Sequence, residues 1–104
     1  MAELRDGQPQ EWGGIWEALG CKWTFHIIRC LNRKPMQFNQ LKEAVGGVPA
    51  STLSTRLKEL QSQALVFRTV QDTTPPSTLY GLTEKGDAVA DIVTQLEEIE
   101  EQFD

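Results

Sequence analysis

A chain of 104 residues, 39% hydrophobic and with a net charge of −5 at neutral pH, is sized for one small globular domain. It holds no run near the roughly 18 apolar residues of a membrane span. The polar opening MAELRDGQPQEW has no signal-peptide core, so a cytoplasmic protein without membrane contact is expected. A single histidine, His26, and two cysteines, Cys21 and Cys30, leave no material for a His-based triad, a multi-histidine metal site or a disulfide framework. With no phosphate loop or nucleophile–base pair either, no enzymatic activity, cofactor or metal is expected.

The charge is unevenly spread. Residues 1–21 carry Arg5 against four acids, residues 22–58 carry seven cations against Glu43 alone, and residues 59–104 carry Arg68 and Lys85 against ten acids. Local field rather than total charge governs binding, so a basic middle between acidic ends suits a polyanion. Chance clustering on solvated faces is the alternative reading.

In chain order, residues 1–10 are expected to be flexible. Trp12, Ile15, Trp16 and Leu19 then recur at i, i+3, i+4, i+7, an amphipathic helix ended by Gly20. Its two aromatics suit packing against a core or a second subunit, or lining a ligand pocket. From Lys22 a second helix reads WTFHIIRCL, with Trp23, Ile27, Ile28 and Leu31 apolar and His26 expected to pack partly buried; Asn32 to Pro35 breaks it. On one helix Cys21 and Cys30 would stand on opposite faces roughly 13 Å apart, too far to bridge, so each is expected to be a free structural thiol, with a redox switch as the alternative.

Met36-Gln37-Phe38 reads as a very short extended piece, after which Asn39 is expected to cap a helix buried through Leu41, Ala44 and Val45. Gly46-Gly47 ends that helix and Pro49 opens the next. In VPASTLSTRLKEL, Leu53, Leu57 and Leu60 form one apolar stripe, while Ser51, Thr52, Thr55, Arg56 and Lys58 make the wet face. Residues 39–62 are therefore expected to be a helix-turn-helix. Ala64–Val70 alternates as a strand, QDTTPP is turn chemistry, and Ser77–Leu82 returns, so residues 64–82 form a hairpin wing. Thr83 is placed to cap a helix over residues 84–103. Its apolar residues Val89, Ile92, Val93, Leu96, Ile99 and Phe103 outnumber what so small a monomer covers; a two-fold dimer using them with Trp12 and Trp16 would bury them. The expected fold is α+β, mostly helical, a single winged helix-turn-helix domain over residues 1–104 with terminal dimerisation helices.

Five segments occur in the order of a known family: Gly20-Cys21-Lys22-Trp23-Thr24, Phe38-Asn39-Gln40-Leu41, Leu53-Ser54-Thr55-Arg56-Leu57-Lys58-Glu59-Leu60, Leu65-Val66-Phe67-Arg68, and Pro75-Pro76 through Tyr80-Gly81-Leu82-Thr83-Glu84-Lys85-Gly86. Over about residues 10–100 the chain resembles the HxlR-type winged helix-turn-helix transcriptional regulators. The resemblance implies a homodimer, joined through terminal helices, that binds a palindromic promoter site. The chain departs from the family pattern where a sensing cysteine usually stands (Gln10), at the start of the recognition helix (Pro49 and Ser51), and after the wing prolines (Ser77).

On this reading double-stranded DNA is met by Ser51, Thr52 and Thr55 at base edges. Arg56 and Lys58 meet phosphates, or a guanine for Arg56; Lys22 and Asn39 grip the backbone near helix N-termini, and Arg68 adds a contact at the wing base. Arg56 could equally pair with an acidic side chain, and Lys58 with Glu59. A small-molecule effector beside Trp12 and Trp16 is a further expectation. A protein-interaction module that uses its acidic ends on a basic partner is the alternative to DNA binding.

Overall fold

The computed structural model describes residues 22–103, of which Lys22 is described by its backbone alone. The expectations on Trp12, Trp16, Gln10 and Cys21 lie outside the described residues. Four helices and three strands follow in the order α1 (Lys22–Leu31), β1 (Met36–Gln37), α2 (Phe38–Val45), α3 (Ala50–Ser62), β2 (Val66–Gln71), β3 (Ser77–Leu82) and α4 (Glu84–Phe103). The strands form one antiparallel sheet ordered β1-β3-β2. The hairpin read from the sequence is thus β2–β3, and the short extended piece at Met36 becomes its third strand, Met36 lying opposite Tyr80.

One core joins every layer. Ile27, Ile28 and Leu31 of α1, Leu41 of α2, and Leu53, Leu57 and Leu60 of α3 meet Leu65, Val66 and Tyr80 of the sheet side and Val89, Ala90 and Val93 of α4. Each fully buried leucine or isoleucine contributes about 1.5–3 kcal/mol of transfer free energy. Thr24 is fully buried among them, and its hydroxyl has no hydrogen-bond partner among the described residues.

The helix ends show how the chain is steered. The start of α2 is set by Gln37, not Asn39: Gln37 is the cap residue, and its backbone N–H donates to Oε1 of Gln40 at 2.9 Å. Asn39 falls in the first turn, exposed, because Phe38 is already helical. Ala44, expected inside, is exposed; the half-buried Phe38 ring packs at 6.4 Å from Tyr80 on the inner side of α2 instead. Gly46 and Gly47 take φ of +80° and +84°, and the turn to α3 needs that left-handed backbone. At the far end of α3, Leu65 N–H donates to Leu60 O and Ala64 N–H to Gln61 O, both at 2.9 Å, a Schellman motif with Ala64 at φ 59° in the left-handed position. Lys85 Nζ donates to Gln63 O at 2.8 Å, placing a cation on the negative end of α3.

Thr83 caps α4 as its position in the sequence suggests. Its Oγ1 accepts from Gly86 N–H at 3.0 Å and itself donates to Ala64 O at 2.5 Å, so one hydroxyl joins the helix start to the end of α3. Gly86 is required there, since a Cβ would collide with the Leu65 carbonyl. Val89 and Val93, expected at a dimer interface, are buried in this protomer's own core at 7% and 6% exposure. They sit in the first half of α4, which lies over α1 and the sheet, and the second half extends past the core. Ile92, on the outer face of the first half, and Leu96, Ile99 and Phe103, in the second, are between 52% and 77% exposed.

Candidate nucleic-acid interface

The helix-turn-helix presents α3 with one face sealed and the opposite face wet. Leu53, Leu57 and Leu60 are at most 1% exposed. On the other side Ser51, Thr55, Lys58 and Ser62 are all exposed and recur at i, i+4, i+7, i+11, one continuous stripe. Of the wet-face residues read from the sequence, Ser51, Thr55 and Lys58 therefore share the outward line, Thr52 stands half-buried on its flank, and Arg56 stands half-buried further round, toward the leucines. Ser62 was missed, although the same spacing extended by one turn reaches it. Its Oγ also donates back to Glu59 O at 2.7 Å.

Arg56 does not project freely. Its guanidinium Nη1 lies 3.1 Å from Oε1 of Glu59 one turn on, with the side chains 23% and 42% exposed, and its Nε is buried without a partner. Of the two readings open for this arginine, the acidic pairing is the one this structure contains. Glu59 is engaged by Arg56 and not by the neighbouring Lys58, because residues three apart share a helix face and adjacent ones do not. Lys58 stays solvated on the stripe.

Asn39 is exposed in the first turn of α2, and Lys22 opens α1. Arg68 is exposed on β2 opposite Tyr80. The wing base is held by neutral groups: Gln37 Nε2 donates to Ser77 Oγ at 3.3 Å, and Ser77 Oγ donates to Gln71 Oε1 at 3.2 Å. Ser77 thus knits β1, β2 and β3 together through its hydroxyl. Asp72 is the one charged residue in the turn, so the wing tip offers no cation.

A second feature lies between α1 and α4. A cleft of about 640 Å³ is lined by Phe25, His26, Arg29, Leu96 and Glu97, with Glu100 and Glu101 at its acidic side. Arg29 ties the two helices across it, donating to Glu97 Oε2 at 2.6 Å and to His26 Nδ1 at 2.9 Å. Cys30, half-buried on α1, has its thiol pKa pushed above the ordinary cysteine value by burial, against the opposing pull of Arg29 and Arg33. No group of three or more metal-ligating side chains occurs among the described residues.

A helix-turn-helix closed by a three-stranded wing, with a sealed inner face and a polar outer face on its second helix, is a winged helix-turn-helix domain. The chain belongs to the HxlR-like helix-turn-helix family, which it matches over residues 18–104. It is 33% identical over 95 residues to the HTH-type transcriptional regulator BH0655 of Halalkalibacterium halodurans, covering 90% of this chain and 84% of that one. It is 34% identical over 85 residues to the HTH-type transcriptional regulator YodB of Bacillus subtilis, covering 82% of this chain and 76% of that protein. The reduced form of YodB superposes with a TM-score of 0.75, over 86% of this chain and 87% of that one. The redox regulator HypR in its oxidised form, 27% identical, gives 0.80 over 91% of this chain and 96% of that one.

Proposed function

We propose that this chain is a DNA-binding transcriptional regulator that acts as a homodimer on a palindromic promoter site. The observation that carries the reading is the outward stripe of α3: three hydroxyls and one free lysine in line, on a helix fixed from behind by three buried leucines. A helix of that width enters the major groove, where serine and threonine hydroxyls donate to or accept from base edges. Ser51, Thr52 and Thr55 address bases and Lys58 the phosphates. Asn39, Lys22 and Arg68 hold the backbone from α2, α1 and the wing base.

The exposed run Ile92, Leu96, Ile99 and Phe103 supports a dimer through α4. These residues are spaced four, three and four apart, the repeat that helices use to pair side by side. Two copies related by a two-fold axis would set their α3 helices about one DNA turn, roughly 34 Å, apart. Such a regulator acts in the cytoplasm, and the cleft between α1 and α4 is where a small-molecule effector would fit. Family-style sensing by an N-terminal cysteine has no counterpart at Gln10, and the raised pKa of Cys30 disfavours thiolate chemistry there.

Selection of bound sequences from randomised duplexes tests the proposal. An enriched palindrome with half-sites about 10 base pairs apart is expected. Absence of enrichment, with a log–log salt slope of binding near zero, would instead favour a protein-interaction module.

A further inference from the structure

We propose that Glu59 is a specificity-determining residue, one that neutralises Arg56 on the flank of the reading helix and so keeps it out of sequence-independent phosphate binding. The inference rests on the DNA-binding reading above and deepens it. Four observations carry it. Arg56 and Glu59 stand one turn apart on α3, with Nη1 and Oε1 at 3.1 Å. The Arg56 side chain is 23% exposed, and its Nε and the Glu59 Oε1 are both buried without a hydrogen bond, so the two groups meet as an ion pair with little water between them. Glu59 adjoins the exposed stripe of Ser51, Thr55, Lys58 and Ser62, and Arg56 stands one step further round, between Glu59 and the buried leucines. Lys58, next in sequence to Glu59, is exposed and makes no ion pair among the described residues, so the carboxylate acts on Arg56 and not on the lysine.

The consequence follows from charge counting. Non-specific affinity for duplex DNA grows with each phosphate that a protein cation neutralises, and each such contact steepens the log–log salt dependence by about 0.9. A cation already compensated by an intramolecular carboxylate releases no counterion and adds nothing to that count. Of the two cations on α3, only Lys58 then contributes. Arg56 is held with Nη1 against the Glu59 carboxylate, so any gain from a further acceptor requires that acceptor to compete with the carboxylate. Glu59 in this way trades non-specific grip for selectivity, which suits a protein whose wing tip also lacks a cation.

The test uses the full chain and a duplex of arbitrary sequence, with affinity measured from low to moderate salt. For Glu59→Gln, tighter non-specific binding is expected, with the salt slope steeper by about 0.9, because Arg56 becomes a free cation. The same variant should enrich a less restricted set of sites from randomised duplexes. Adding Arg56→Gln to make the double variant should restore the slope of the unaltered protein, and this second protein also covers the case in which Glu59→Gln alone fails to fold. An unchanged slope in Glu59→Gln overturns the proposal. So does a double variant whose slope is shallower than that of the unaltered protein, since Arg56 would then have been a phosphate contact all along. If the unaltered protein binds no duplex even at low salt, the failure lies with the DNA-binding reading itself, and Glu59 loses its role with it.

Discussion

Helices α3 and α4 carry similar apolar stripes and put them to different use. In α3 the leucines at 53, 57 and 60 are all sealed in the core, and the helix stops abruptly in the Schellman motif at Ala64. In α4 the stripe divides: Val89 and Val93 are buried, whereas Ile92, Leu96, Ile99 and Phe103 remain open to solvent. Twenty residues at about 1.5 Å each make α4 roughly 30 Å long, more than the α1 and sheet surfaces beneath it can cover. Amphipathic spacing therefore declares that a helix has a partner. Whether the partner is its own domain depends on length and on where the neighbouring elements end.

The comparison can be broken most forcefully at Leu57. Leu57→Ala should cost about 2–5 kcal/mol, because α3 has no slack to close a cavity, and a chemical-denaturation midpoint will read the loss. The matching changes on α4, Leu96→Glu with Ile99→Glu, should leave the stability of the isolated protomer within about 0.5 kcal/mol while abolishing self-association. Sedimentation or light scattering over a concentration series checks this. A protomer destabilised as much as by Leu57→Ala would mean that the exposed half of α4 packs within its own chain.

Ala64→Gly sharpens the contrast at the helix ends. A non-glycine residue at φ 59° is strained by about 1–2 kcal/mol, partly offset by the entropy glycine loses on folding. A gain of about 1 kcal/mol in thermal or denaturant stability is expected, and no gain would mean that the motif is not formed in solution. Lys58→Gln should do least to the fold, within about 0.5 kcal/mol, yet flatten the salt slope of DNA binding by about 0.9. An unchanged slope would place the lysine away from the phosphates.

Much of the fold was legible because local chemistry and periodicity agree over most of the chain. The glycine pair before Pro49, the leucine spacing of α3, the turn residues between β2 and β3, and Thr83 each point to one structure without tertiary help. Where reading failed, two neighbouring residues could serve one role. Gln37 and Asn39 are both able to cap, and the pairing of Met36 with Tyr80 selected the earlier by drawing Gln37 into the sheet. On α2 the inner side was misjudged by about 120°: the Tyr80 ring draws Phe38 inward and leaves Ala44 exposed.

The outward line of α3 was set by sequence alone, since a helix with three leucines on one side must turn its serine, threonine and lysine to the other. Helix type, turn positions and the basic middle of the chain follow equally from local composition. Tertiary structure decided the partners. It assigned Arg56 to Glu59, Lys85 to the end of α3, Val89 and Val93 to the core, and left Ile92, Leu96, Ile99 and Phe103 uncovered. Spacing along a helix determines which side a residue faces, but only the reach of the surrounding elements determines whether anything is there to meet it.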